Sequence, residues 1–292
     1  MAARIGAPGR RFDAPGPLRL WHLASFDAPT IAVDWSLSFA WAAGVRLPVW
    51  IPVLLALAAW AVYVADRLLD ARAALRASNL LGLRERHLFH HRHRRLLVPL
   101  AFAAACAAGC IVFIFMPVPA RERNSVLGAA ALAYFTGVHS SRRLSLRLLS
   151  RNAPVFRKEL LVGLLFTNAC ALPVLSRAAA QGDVSLWPLS VVAFFYALLA
   201  WLNCHAIDRW ESAAAPSGSR ILAPACILAL AGLLLACNLS STQPRSAALV
   251  AAGAASALLL ALLDRLQKCL TPLALRVAAD LVLLTPLVLL AR

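Results

Sequence analysis

The sequence predicts an all-α polytopic membrane protein of nine transmembrane helices, and three observations predict it. The first is composition: of 292 residues, 61% are hydrophobic and only 14% charged, with a mean hydropathy of +0.74, outside the range of soluble globular domains. The second is segmentation, because apolar runs close to the ~20 residues that a spanning helix needs recur along the whole chain. The third is that lysine and arginine concentrate in every second connection between those runs, as the positive-inside rule requires.

Residues 1–20, rich in Gly, Pro and Arg, read as a disordered cytoplasmic tail. Arg4, Arg10 and Arg11 are not followed by the apolar core and small-residue cleavage site of a removable signal peptide. Spanning segments are then expected at about 27–45, 48–66, 96–117, 125–140, 159–177, 186–207, 220–238, 246–264 and 273–291, the fourth being the shortest. Together residues 21–292 make one transmembrane domain, with pseudo-repeat halves of about 27–150 and 151–265 and an added ninth helix at 273–291. The connection after the second segment, through Ala71 to Ala77 and Leu80 to Arg95, has the composition of one or two short interfacial helices.

Charge fixes the orientation expected of these segments. Of the 29 lysines and arginines, 23 fall in the N-terminal tail and after segments two, four, six and eight; only Arg46, Arg121, Arg123, Arg177, Arg245 and Arg292 fall on the other side. This places the N-terminus in the cytoplasm and the C-terminus outside, in a membrane expected to be the bacterial inner membrane. The net charge of +16 is thereby a matter of membrane orientation rather than of nucleic-acid binding. Seven cysteines lie in apolar runs without a paired spacing and read as small buried hydrophobes.

The candidate chemistry lies at two helix ends on the cytoplasmic side. In Tyr63-Val64-Ala65-Asp66-Arg67-Leu68-Leu69-Asp70, the i, i+4 spacing puts Asp66 and Asp70 on one helix face, about 5–6 Å apart at Cβ. Two carboxylates so close call for a positive partner. A weaker copy of the pattern, Asp208-Arg209-Trp210-Glu211, closes the sixth segment. Hard oxygen ligands of this kind suit Mg²⁺, which keeps several waters and is held by a few carboxylates together with substrate phosphates. Asp66, Asp70, Asp208 and Glu211 are therefore the candidate metal ligands, with Arg67 and Arg209 beside them as charge partners.

Three further groups complete the set. Arg157, Lys158 and Glu159 open the fifth segment, either as an ordinary helix-start charge pair or as a basic contact for a diphosphate. The run from Arg84 to Arg95 is the densest charge cluster; its arginines argue against a bound cation, and lipid head groups or an approaching anionic substrate are the better partners. Asp34, Asn168, Asn203, His205 and Asp280 lie inside apolar runs, where polar side chains are costly and should face the bundle interior. His205 stands three residues before Asp208 and is placed to meet it on one face.

With these residues assembled, the chain resembles the UbiA family of intramembrane prenyltransferases along nearly its whole length. The family's first motif, Asn-x-x-x-Asp-x-x-x-Asp, is matched at Asp66 and Asp70, with Val62 in place of Asn; its second, Asp-x-x-x-Asp, is matched at Asp208, with Ser212 in place of the last Asp and Glu211 one position early. The resemblance implies a funnel-shaped helical bundle in which Mg²⁺ on the two motifs holds a prenyl diphosphate. It further implies catalytic roles for Asp66, Asp70, Asp208 and Lys158, and diphosphate contacts from Arg67, Arg157, Lys158 and Arg209. Tyr63, Asn168, Asn203 and His205 would line the cavity, with the faces of Tyr63, Phe166 or Tyr196 stabilising an allylic cation. The implied partners are a prenyl diphosphate, a lipophilic or aromatic acceptor and membrane lipid. A terpene cyclase on the same scaffold, and a non-catalytic scaffold or transporter with vestigial motifs, stay open beside the prenyltransferase.

Overall fold

A computed structural model describes residues 12–76, 84–140, 155–182, 186–211 and 221–291. Among these residues the regular structure is helical, with one isolated bridge between Phe12 and Leu270. Among the described residues six helices are long and apolar enough to cross a membrane, as expected of an integral membrane protein. In chain order the helices are α1 (Gly16–Leu23), α2 (Asp27–Ala43), α3 (Trp50–Arg76), α4 (Glu85–Arg92), α5 (Arg94–Phe115), α6 (Val118–Ser140), α7 (Val155–Ala180), α8 (Leu186–Glu211), α9 (Leu222–Leu239), α10 (Pro244–Leu266), α11 (Pro272–Val282) and α12 (Leu287–Leu290). The six long apolar ones are α3, α5, α7, α8, α9 and α10.

The other three expected spans are helical yet depart from the ruler for identifiable reasons. α2 has 17 residues, about 25 Å at 1.5 Å per residue, and it carries Asp27 and Asp34 in its buried face. α6 begins earlier than expected and takes Arg121, Glu122 and Arg123 into its first turns. The span expected at 273–291 is interrupted: α11 stops at Val282, and a turn through Leu283 to Pro286 precedes the four-residue α12. Pro286 has no N–H to give and disfavours helix in the residue before it.

Within the tail expected to be disordered, residues 12–20 are structured. The Phe12 amide donates to the Cys269 carbonyl at 2.8 Å, and the Thr271 amide donates back to Phe12 at 2.9 Å. Pro17 then sits at a helix start, where its missing N–H costs nothing. Between α1 and α2 the chain folds back at Ser25, whose φ of 64° lies in the left-handed region. That reversal brings His22 over Asp27.

The core forms where α2, α7, α8 and α10 meet. Trp35, Phe39 and Tyr196 are fully buried, with the Trp35 and Phe39 rings edge-on to Tyr196 at centroid distances of 4.8 and 5.3 Å, a geometry the ring quadrupoles favour. Their polar atoms are satisfied by backbone: the Trp35 indole N–H donates to the Leu283 carbonyl and the Tyr196 hydroxyl to that of Leu249, both at 2.9 Å. α7 packs along α8, α9 along α10, and α8 against α10. Outward-facing Phe102, Phe113, Ile114, Ile227 and Leu234 are exposed, the surface a lipid-facing helix presents. Five of the seven cysteines are exposed in the same way; only Cys170 shows the burial expected of all seven.

Candidate functional site

α3 continues to Arg76, so Asp66 and Asp70 lie within a helix rather than at its end. Asp66 is half-buried and Asp70 exposed. Asp208 is exposed on the last turn of α8, where Arg209 and Glu211 are half-buried. α4 packs against α3, which carries the first motif, and Arg84 at its start pairs with Glu211 of the second. Burial and the Arg276 guanidinium pull the Arg84 side chain below the ordinary arginine value, while the carboxylates of Asp208 and Asp70 push it the other way.

Glu211, expected as a metal ligand, is instead the hub of an arginine cluster. Arg84 and Arg86 reach it from the start of α4, Arg86 Nη1 donating to Oε1 at 3.0 Å. Arg276 Nη1 of α11 donates to both of its oxygens, at 3.1 and 3.2 Å. A shallow cleft beside this cluster is lined by Ile207, Trp210, Glu211, Pro272, Leu275 and Arg276. Both carboxylate oxygens of Glu211 are engaged by cations.

Arg67 differs most from its expected role. It is 3% exposed and is spent on the N-terminal segment: Nη1 donates to the His22 carbonyl at 2.7 Å and to Ser25 Oγ at 2.9 Å, and Nη2 to Asp27 Oδ2 at 3.0 Å. The reason is helical geometry. Adjacent residues point about 100° apart and do not share a face, so Arg67 points away from Asp66, and its guanidinium runs to the turn between α1 and α2. The side chains of Arg157 and Lys158, in the first turn of α7, lie outside the described residues, as does Ser212.

The expected cavity residues divide. Asn203 is 4% exposed and its amide donates to Asp280 Oδ1 at 3.5 Å, so these two interior polar residues meet. Tyr63 is half-buried with the Arg67 guanidinium 5.8 Å from its ring centroid, a cation–π distance. Asn168, expected to face inward, is exposed, and its amide is returned to the Leu164 carbonyl of its own helix at 2.8 Å. His205 pairs across the helix interface with Glu159 of α7, Nδ1 to Oε2 at 2.8 Å, and stacks on Trp201, rather than pairing with Asp208. Phe166 and Tyr196 belong to the aromatic core around Trp35.

Several polar residues gain a role only in three dimensions. Asp264 of α10 accepts the Trp210 indole N–H at 2.8 Å and the Leu222 amide at 3.1 Å, a carboxylate at the N-terminus of α9, where the helix dipole favours it. His90 of α4 is fully buried, with Nε2 3.1 Å from Ser25 Oγ and Nδ1 2.8 Å from the Arg86 carbonyl. α4 is therefore docked into the bundle by its histidine face, which the expectation of an interfacial helix does not include. No protein-family model, curated protein or solved structure matches this chain.

Proposed function

We propose that this protein is a Mg²⁺-dependent membrane transferase of the UbiA kind, moving an isoprenyl group from a prenyl diphosphate to a lipophilic or aromatic acceptor. The observation that carries the reading is that Arg84, at the start of α4, pairs with Glu211 of the second motif on α8, while α4 packs against α3, which carries the first. Carboxylates and arginines at one mouth of a membrane bundle suit a substrate with a metal-binding anionic head and an apolar tail. In this reading all nine helical segments cross or line the membrane domain, with the N-terminus and both motifs on the cytoplasmic side of a bacterial inner membrane.

Asp66, Asp70 and Asp208 hold the metal, whose chemistry is to neutralise the diphosphate as a leaving group. Arg84, Arg86 and Arg276, positioned by Glu211, receive the charge on the departing diphosphate, with Arg209 and the α7 residues Arg157 and Lys158 as further basic contacts. The allylic carbon–oxygen bond breaks with its electron pair leaving on the diphosphate. The acceptor's nucleophilic atom then bonds to the carbocation and loses a proton.

The test is diphosphate release by purified protein in nanodiscs, given prenyl diphosphates of C10 to C20 and longer, with and without Mg²⁺ and a membrane-lipid extract. Release should require Mg²⁺ and fall by at least about 100-fold, roughly 2.7 kcal/mol of barrier, in Asp66→Ala; normal release in that variant overturns the assignment. A second reading, a non-catalytic scaffold or transporter, is favoured by the full engagement of Glu211 with three arginines and by Val62 in the first motif. It predicts neither release nor Mg²⁺-dependent binding of any prenyl diphosphate.

A further inference from the structure

We propose that His22, Asp27 and Asp280 form a buried site for a first-row divalent transition-metal ion, taking Zn²⁺ most readily, which ties the N-terminal α1–α2 hairpin to α11. The site stands on its own residues and is independent of the transferase reading. Its three members are 0%, 2% and 8% exposed, and one donor atom from each lies within 4.8 Å of the others.

Two carboxylate oxygens converge on Nδ1 of His22. Nδ1 lies 2.8 Å from Asp27 Oδ2 and 3.2 Å from Asp280 Oδ2; the closer contact has hydrogen-bond length, but by strict geometry both buried ring nitrogens lack a hydrogen-bond partner. Donors held about 2.1 Å from a common ion stand roughly 3.0–3.4 Å apart, a range that contains the Asp280 contact and lies slightly beyond the Asp27 one, and each aims at the ion rather than at its neighbour. Short separation with poor mutual alignment is the expected signature of such a set.

The surroundings hold the donors in place. Asp27 Oδ1 accepts the Ala28 amide at 2.9 Å and Asp280 Oδ1 accepts the Asn203 amide at 3.5 Å, so each carboxylate is anchored by one oxygen and turns Oδ2 toward His22. Outer contacts of this kind orient metal ligands. Arg67 Nη2 also bonds Asp27 Oδ2 and offsets one of the two carboxylate charges, leaving one negative charge in a buried place that calls for a cation. An imidazole ligand favours Zn²⁺ or its first-row neighbours over Mg²⁺ or Ca²⁺.

Full-length protein in detergent, stripped with a chelator and dialysed against Zn²⁺, Mn²⁺ or Mg²⁺ in turn, tests the site by metal content and thermal unfolding. About one equivalent of Zn²⁺ should be retained and should raise Tm, with Mg²⁺ doing neither. Retention should be lost in His22→Gln and in Asp280→Asn, weakened about 10-fold or more in Asn203→Ala, and kept in Asp66→Ala. Circular dichroism and monodispersity separate an unfolded variant from one that has lost its ligand. A folded wild-type protein that retains no Zn²⁺, or that retains it equally in folded Asp280→Asn, overturns the proposal. So does a ¹⁵N spectrum showing His22 doubly protonated in the presence of Zn²⁺, since the imidazole would then be serving as a cation between the two carboxylates.

Discussion

Glu211 holds three guanidiniums together, and its charge is what makes that proximity tolerable. In Glu211→Gln, Arg84, Arg86 and Arg276 keep at most weakened hydrogen bonds and lose their shared counter-ion. Removing one partner from a largely buried ionic cluster costs about 3 kcal/mol, the half-exposed Arg84 adding little to that figure. Thermal unfolding in detergent should show the loss with or without Mg²⁺, whereas a metal ligand would lose its contribution only when Mg²⁺ is present. Residue roles at this scale are only partly legible in the sequence. Asn203 and Asp280, which meet in the interior, announce themselves by their cost in an apolar run. The role of Arg67 is not legible, because a motif written as a string does not show that neighbouring letters face different ways. Asp27 carries a related signal, a carboxylate at the opening of an apolar helix rather than inside one. His22 carries none, because its partner is brought to it by the reversal at Ser25.

At the scale of helices, α7 crosses α8 at close range at Gly163. A Cβ there would lie 2.8 Å from the Ala197 carbonyl oxygen and 2.9 Å from the Trp201 amide nitrogen, backbone atoms that cannot swing aside. Gly163→Ala must therefore part the helices and should cost about 1–3 kcal/mol. Gly109 in α5 provides the contrast, with nothing within 4 Å of the place a methyl group would occupy; Gly109→Ala should be neutral or stabilise by up to about 1 kcal/mol through helix propensity. Chemical denaturation of the two variants in the same detergent checks both. Helix positions are legible because hydropathy acts over about 20 residues and averages out local detail. Where packing overrides hydropathy they are not: α2 is short and buried, and the last expected span breaks before Pro286.

Over the whole molecule, α4 is the strap that joins the N-terminal segment to the two-motif end. Arg19 reaches Glu85, His90 meets Ser25, and Arg86 meets Glu211. Both buried histidines of this strap are held neutral. Burial, then the guanidiniums of Arg86, Arg84, Arg276 and Arg67, pulls His87 down to about 4 from 6.5; burial, with Arg67 and His93 acting the same way against the Arg86 carbonyl and Asp27, pulls His90 down to about 4. Undocked, both would titrate near 6.5, so the docked strap binds fewer protons than the undocked one. Its stability is then whole above pH 6.5 and is lost progressively as pH falls toward 4. Hydrogen exchange of the amides in α4 should accelerate across that window while those of α8 and α10 do not. His90→Asn should reduce the acceleration, because an uncharged side chain near Ser25 has no proton to gain. If α4 exchange were flat from pH 7 to 4, the histidine face would not be what holds the strap, and the ion pairs of Glu85 and Arg86 would have to carry it alone.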